Sequence, residues 1–226
     1  MKTKLYISLY PEKNVQRREE LFYCLTANLR NKLIDEVHIL IDKKLTTQDL
    51  PGLEGFVSKV YFHFIDKNRP NFTDFIELMQ RDAFGMENHQ TLFIIANSDI
   101  IIPEETIQKA FDKLTYGKVF ALSRHDFNPL TEQSTHLNRR DSQDTWMFKD
   151  VHTLRLKAFE FPIGAPGCDN RIAQVFADHN LSVSNPSIDL LTYHVHQSQV
   201  LNYRSDGTKT VEGPYMLLNP ITLAEC

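Results

Sequence analysis

Cysteine is scarce in this chain. Its three cysteines, Cys24, Cys168 and Cys226, are scattered, odd in number and spaced unlike any zinc site. A disulfide framework is therefore not expected, and reduced thiols point to a cytoplasmic setting. A surplus of basic charge is also missing. The formal net charge is −4, so bulk attraction to nucleic acid or to an anionic membrane is not indicated, although a local basic patch stays open. No apolar run reaches membrane-spanning length, and the N-terminus has no apolar signal-peptide core, so no transmembrane segment is expected. Internal repeats and low-complexity tracts are absent too, which excludes solenoids and long disordered arrays. Tryptophan occurs once, at Trp146.

What remains is an ordinary globular composition in 226 residues, enough for one large domain with a full core. Fifteen Phe and eight Tyr fill an interior and leave aromatics for a ligand cleft. The most informative stretch is TLFIIANSDIIIP, residues 91–103. Leu92 to Ala96 read as a strand buried on both faces, as in a parallel sheet. That run leads straight into Asn97-Ser98-Asp99. A carboxylate among such residues is costly unless paired, hydrogen-bonded or metal-bound. The simplest place for it is the carboxyl end of the strand, where open α/β sheets bind ligands. The plainer alternative is an Asx turn with Asp99 capping the next helix.

The flanking segments alternate strand and helix. KLYISLY, residues 4–10, sets Leu5, Ile7 and Leu9 against Tyr6, Ser8 and Tyr10. Leu21, Leu25, Leu29 and Leu33 recur at helical spacing. Val37–Asp42 reads as a strand ending in an acid, and Val57–Phe64 as a third strand. Asn71 and Asp74 open a helix carrying Phe75, Ile76, Met79 and Phe84. Pro103, Glu104 and Glu105 start another, with Ile107, Ala110, Phe111 and Leu114 on its buried face. Val119–Ser123 is a further strand. Residues 1–124 thus predict a mainly parallel, helix-flanked central sheet of Rossmann-like α/β class.

Residues 125–165 change character. His125, Asp126, His136, Arg139, Arg140, Asp141, Gln143, Asp144 and Trp146 make a long polar region, which is either functional or a solvated insertion. A Gly/Pro turn at 161–170 then enters a helix that buries Ile172, Ala173 and Phe176. Leu181–Ser184 and Leu190–Val195 read as short late strands. The end of the chain shows no clear pattern.

Three groups of residues carry chemistry. They are Asn97-Ser98-Asp99, Gly167-Cys168-Asp169-Asn170, and His194 with His196 followed by Tyr203 and Arg204. A hard divalent cation takes oxygen ligands, and Mn²⁺ also accepts imidazole. One carboxylate, one imidazole and two diphosphate oxygens would fill most of an octahedron. The candidate metal ligands are therefore Asp99, His194 and His196, with Mn²⁺ or Mg²⁺ as the ion. Such an ion acts as a Lewis acid on a leaving diphosphate, and Arg204 could add a guanidinium fork. Asp169 stands where a helix begins, as a cap or as a general base. Asp144 is the rival base. Its neighbour Trp146 offers a stacking face for a sugar or nucleobase, or simply core packing.

Taken together these residues resemble a nucleotide-diphospho-sugar transferase of the GT-A type. Asn97-Ser98-Asp99 resembles the DxD motif with its first acid replaced by Asn. Gly167-Cys168-Asp169 resembles the acidic base motif of inverting members, and His196 with Tyr203-Arg204 a late His with a downstream Tyr/Arg. The resemblance covers roughly residues 1–204. It implies a single GT-A-like domain over 1–226, with a nucleotide-binding half (1–124), an acceptor and catalytic half (125–204) and a C-terminal tail (205–226). It also implies a nucleotide held by Ser8, Tyr10, Asp42, Asp74, Asn97, Ser98 and Asp99. Asn97 removes one charge from the motif, so Arg124 or Arg204 could take over phosphate neutralisation.

The expected activity is transfer of a sugar from a nucleotide sugar, by default a UDP-sugar, to a hydroxyl acceptor, with inversion if Asp169 is the base. Two alternatives stand beside it. A sugar nucleotidyltransferase normally has a Gly-rich phosphate loop after the first strand, and Pro11-Glu12-Lys13-Asn14 has no Gly. A non-catalytic nucleotide-sugar-binding protein would leave the retained acids and histidines without a use.

Overall fold

The computed structural model describes residues 2–42, 52–67, 69–84, 91–200 and 211–226. In chain order the elements are β1 (Lys2–Leu9), α1 (Val15–Arg30), β2 (Glu36–Asp42), β3 (Val60–Ile65), α2 (Phe72–Ala83), β4 (Thr91–Ala96) and β5 (Ile100–Ile101). They continue with α3 (Glu104–Lys113), β6 (Lys118–Leu122), β7 (His125–Asn128), β8 (Gln133–His136), β9 (Thr145–Phe148), α4 (Cys168–Asp178), β10 (Ser182–Ser184) and β11 (Tyr193–His194).

A seven-stranded sheet has the order β10-β6-β9-β4-β1-β2-β3. The expected β4 is its middle strand, and all six of its residues are buried. Pairing is parallel except at β9, which runs antiparallel to both β4 and β6. The sheet is therefore mainly parallel, as expected, with one reversed strand inserted beside its centre.

That strand corrects the reading of 125–165 as a polar loop. Thr145-Trp146-Met147-Phe148 is fully buried. Four residues between polar neighbours are too short to show a period, so only its two partners identify it. Trp146 is 0% exposed and packs edge-on against Phe72, with ring centroids 5.3 Å apart. It belongs to the core and has no face to offer a sugar.

Strand alternation divides the core between the two faces. Leu5, Ile7, Leu92, Ile94 and Met147 point to the layer under α1 and α3. Tyr6, Phe93, Ile95, Trp146 and Phe148 point to the layer with α2 and α4. The helices begin and end where their caps dictate. Asn14 accepts the Arg17 backbone N–H at 2.9 Å to start α1. Phe84, expected on the buried face of α2, lies one residue past its end and is 86% exposed.

A second, four-stranded sheet, β5-β11-β7-β8, sits beyond the carboxyl end of β4. Its pairing sets His194 opposite Asp126 on one side and Ile100 on the other. This small sheet carries the late histidines to Asp99. The end of the chain, patternless in sequence, runs back along α4. Met216 N–H donates to the Asn170 carbonyl at 3.0 Å, and Leu218 N–H to the Arg140 carbonyl at 2.9 Å. Among the described residues no helix is long and apolar enough to cross a membrane.

Candidate functional site

Because every strand of the large sheet except β9 points the same way, the loops after β1, β4 and β6 open on one edge. Asn97, Ser98 and Asp99 leave β4 there, each partly buried. Asn97 is tied to Asp144 twice. Its backbone N–H donates to the Asp144 carbonyl at 3.0 Å, and its Nδ2 donates to Asp144 Oδ1 at 2.6 Å. The amide that replaces an acid therefore serves as a donor to the neighbouring carboxylate.

From Asp144 an alternating ribbon of charge runs across the edge. Arg124 Nη1 donates to Asp144 Oδ2 at 3.0 Å, and its Nε to Asp126 Oδ1 at 3.1 Å. His194 Nδ1 lies 2.9 Å from Asp126 Oδ1, and its Nε2 lies 3.2 Å from Asp99 Oδ2. Arg17, from the first turn of α1, donates to the same Asp99 oxygen, to Glu20 and to the Val195 carbonyl. Glu20 in turn accepts from the backbone and side chain of Ser198.

The ribbon sets the charge of its members. Burial disfavours a charged His194, but Asp126 and Asp99 override it and push the ring up to about 9. Burial likewise opposes ionisation of Asp99, while His194 and Arg17 hold it well below the usual carboxylate range. Asp99 Oδ1 is buried and has no hydrogen-bond partner among the described residues. His196 Nε2 lies 3.0 Å from the Val200 carbonyl, which can only accept. That bond puts the ring's proton on Nε2 and leaves Nδ1 a lone pair. Asp99, His194 and His196 each offer a ligand atom within 4.8 Å of the others. The three residues expected as metal ligands are thus brought together.

The two rival bases also meet. Asp169 lies in the first turn of α4, whose preceding residue Gly167 has φ +93°. A Cβ at Gly167 would lie 3.1 Å from the Val211 carbonyl, so glycine is required both by conformation and by space. The tight turn puts the Asp169 carboxyl against the Gln143 backbone N–H and near Asp144. Cys168 Sγ donates to it at 3.1 Å.

The positive end of the helix leads one to expect a low pKa for Asp169. The structure gives the opposite: burial, and then the charge of Asp144, push it up to about 8. Asp144 is 4% exposed and fixed by Asn97 and Arg124.

Other expected residues separate. Asp74 is a helix cap: its carboxylate accepts from the Asn71 backbone at 2.7 Å and from Lys67 at 2.7 and 2.9 Å. Ser8 and Tyr10 lie at the end of β1, partly buried, and Tyr10 bonds Arg17. The side chain of Asp42 and the whole of Tyr203 and Arg204 lie outside the described residues.

Arg17 and Glu20 were missed, and Asp126 was named only as one of the polar residues of 125–165. Arg17 and Glu20 read as the polar face of an amphipathic helix. Their burial depends on the arrival of residues 195–198, and no local signal marks it.

No protein-family model matches the sequence, and no curated protein is similar to it. Solved structures do resemble the fold. The inositol-1-phosphate CTP transferase of T. maritima matches with a TM-score of 0.53 at 9% identity, over 88% of this chain and 91% of that one. A protein assigned as a nucleotide-diphospho-sugar transferase from Desulfovibrio desulfuricans G20 matches with a TM-score of 0.52 at 15% identity, over 82% and 80%. S. aureus TarS matches with 0.52 at 14% identity, over 88% of this chain and 37% of that one. At such identities the likeness is one of fold, and this chain has the GT-A-like fold of the nucleotide-diphospho-sugar transferases.

Proposed function

We propose that the protein is a glycosyltransferase that moves a sugar from a nucleotide-sugar donor to a hydroxyl acceptor, with Asp169 as the general base. The observation that carries this reading is the Asp144–Asp169 pair at the carboxyl end of the sheet. A base works best with a pKa near the operating pH. Burial and the neighbouring Asp144 move Asp169 to about 8, close to that optimum. Asp144 itself is neutralised by Arg124, so it tunes and orients rather than accepts. Asp169 takes the proton from the acceptor hydroxyl as its oxygen attacks the anomeric carbon, and displacement from the opposite side inverts that centre. The diphosphate leaves toward the guanidinium groups of the ribbon, Arg17 and Arg124.

The residues at Asp99 fit a divalent cation such as Mn²⁺ or Mg²⁺. The buried, unpartnered Asp99 Oδ1, His194 Nε2 and a nitrogen of His196 would hold it. Both rings have a partner on their other nitrogen, Asp126 and the Val200 carbonyl, which is how ligating histidines are commonly oriented. When bound, the ion supplies Lewis-acid neutralisation of the leaving diphosphate. His194 must then give up its Nε2 proton, so binding weakens as pH falls.

A sugar nucleotidyltransferase is the second reading, favoured by the fold likeness to a CTP transferase. The absence of glycine from residues 11–14 counts against it. One experiment separates the two. The purified protein is screened with a panel of nucleotide sugars, UDP-sugars first, and in parallel with CTP or UTP plus sugar phosphates, with and without Mn²⁺. A matching donor at a hundredfold over its Kd stabilises the fold by ~2.7 kcal/mol and releases nucleoside diphosphate. Release of pyrophosphate from the nucleoside triphosphate arm would overturn the proposal. Donor binding with no turnover for any acceptor class would favour a binding protein.

A further inference from the structure

Of the three side chains gathered at Asp99, His196 has the least secure backbone. Asp99 follows the central strand and His194 lies within β11, whereas His196 stands in a loop two residues past the end of β11. Its ring is aimed by a neighbour four residues on, since Nε2 donates to the Val200 carbonyl at 3.0 Å. The loop holds itself only in part. Gln199, at φ +54°, donates its side-chain amide to the His196 carbonyl at 2.8 Å, and Gln197 donates to the Phe127 carbonyl at 3.3 Å. Gln197 and Gln199 are both exposed, where such bonds compete with water.

The buried anchor comes from α1. Arg17 and Glu20 are three residues apart, so they share one face of that helix, and they pair at 3.1 Å. Arg17 Nη1 also donates to the Val195 carbonyl at 3.1 Å. Glu20 Oε1 accepts the Ser198 backbone N–H at 2.6 Å, and Oε2 accepts the Ser198 hydroxyl at 2.8 Å. One ion pair thus grips the chain on both sides of His196. Arg17 has a further task at Asp99. Glu20 is 7% exposed, and its carboxylate bonds go to Arg17 and Ser198. Burial opposes its charge, but Ser198 and Arg17 outweigh that and hold it below the usual carboxylate range.

We propose that Glu20 is the positioning residue for His196, setting the 195–200 loop so that this ring stands within ligand reach of Asp99 and His194. The inference rests on the cation reading of the Asp99 site. The role needs a carboxylate. An amide at position 20 has one oxygen, and its NH₂ would face a donor, either the Arg17 guanidinium or the Ser198 N–H. Glu20 itself touches neither the ion nor the sugar donor. It acts through Ser198 on the direction of the His196 ring.

Mn²⁺ binding to the whole protein, read by electron paramagnetic resonance of the free ion, tests this without an assay of transfer. Glu20→Gln should weaken binding about 10–100-fold, the usual cost of losing a group that orients a metal-bound histidine. Ser198→Ala deletes the hydroxyl and keeps the backbone N–H, so it should weaken binding measurably but less. Glu19→Gln, exposed on the same helix, should bind as wild type does. A metal-free readout stands beside these. The imidazole nitrogen shifts of His196, assigned by their loss in His196→Gln, should report one Nε2–H tautomer in wild type and a mixture in Glu20→Gln. A merely structural Glu20 would lower stability while leaving Mn²⁺ affinity and the His196 tautomer unchanged, and that result overturns the inference alone. If Glu20→Gln does not fold, Ser198→Ala decides, and wild-type affinity in it overturns the inference. If wild type itself binds no Mn²⁺, the cation reading at Asp99 falls and this inference falls with it.

Discussion

His194 at one end of the large sheet and His38 at the other are shifted in opposite directions. At the carboxyl end, His194 lies between Asp126 and Asp99 and is driven up to about 9. At the amino end, burial drives His38 and His63 down, so they stay neutral. Both ends are carboxylate-bearing and partly buried. They differ in which atoms face the ring. Two acids on the two nitrogens of one imidazole stabilise its charge. An acid on one side and a second imidazole on the other leave burial to decide. The carboxyl end therefore holds His194 charged, and the amino end holds His38 and His63 neutral.

The largest expected effect would break the carboxyl end chemically while leaving the amino end untouched. Asp169→Asn should lower transfer by a factor of ~10²–10⁴, the usual worth of a general base, with donor binding retained. Because burial and Asp144 raise its pKa, ionised Asp169 is a burden on the fold above the carboxylate's ordinary value. Stability is full below that value and falls as pH rises toward about 8, so the Asn variant should be as stable as wild type or more so at pH 8. Steady-state kinetics and urea unfolding check both halves. Normal turnover in Asp169→Asn with a dead Asp144→Asn would reverse the two roles.

Ion pairs at the two ends should differ next. Arg17 is 5% exposed and holds Asp99 and Glu20. Arg17→Leu strands those acids and should cost about 3–5 kcal/mol by denaturant titration. Lys2→Ala removes a partner of Glu36 that is 38% exposed at the amino end. It should cost under ~1 kcal/mol, and equal losses in the two variants would erase the contrast.

Opposite pH slopes sharpen it further. The raised pKa of His194 contributes stability that is complete below pH 6.5 and is lost as pH rises through about 9. The difference between those values corresponds to up to about 3 kcal/mol at 1.36 kcal/mol per unit. The half-exposed Asp126 carboxylate reduces it. The depressed His38 works the other way, its contribution being present above pH 6.5 and lost as pH falls through its lower folded value. Unfolding at pH 6, 7.5 and 9.5 should show the alkaline loss in wild type and not in His194→Gln. His38→Gln should instead lose the acid-side dependence.

The smallest effect belongs to α2, which links the ends with Asp74 in its first turn and Asp82 in its last. Asp74→Ala should cost about 1 kcal/mol as a lost cap and leave donor affinity unchanged in calorimetry. A large loss of affinity would return Asp74 to the nucleotide site.

Much of this molecule was legible in its residues. The order of β1 to α3, the central place of β4 and the start of α4 follow from hydrophobic periods and caps, which are local properties. Asp99, His194 and His196 were legible as a group because their residue types and order resemble a known pattern, and the structure brings them together. What the chain order could not contain is adjacency across long separations. β9 is a strand only because β4 and β6 leave a slot for it. Trp146 is core for the same reason. Arg17 is an ion-pair partner only because β11 returns to α1, and the raised pKa of Asp169 exists only because Asp144 stands beside it. Composition and periodicity fix which faces are buried. Which charges then share a low-dielectric edge is decided by packing, since Coulomb energies depend on distance in space and not along the chain.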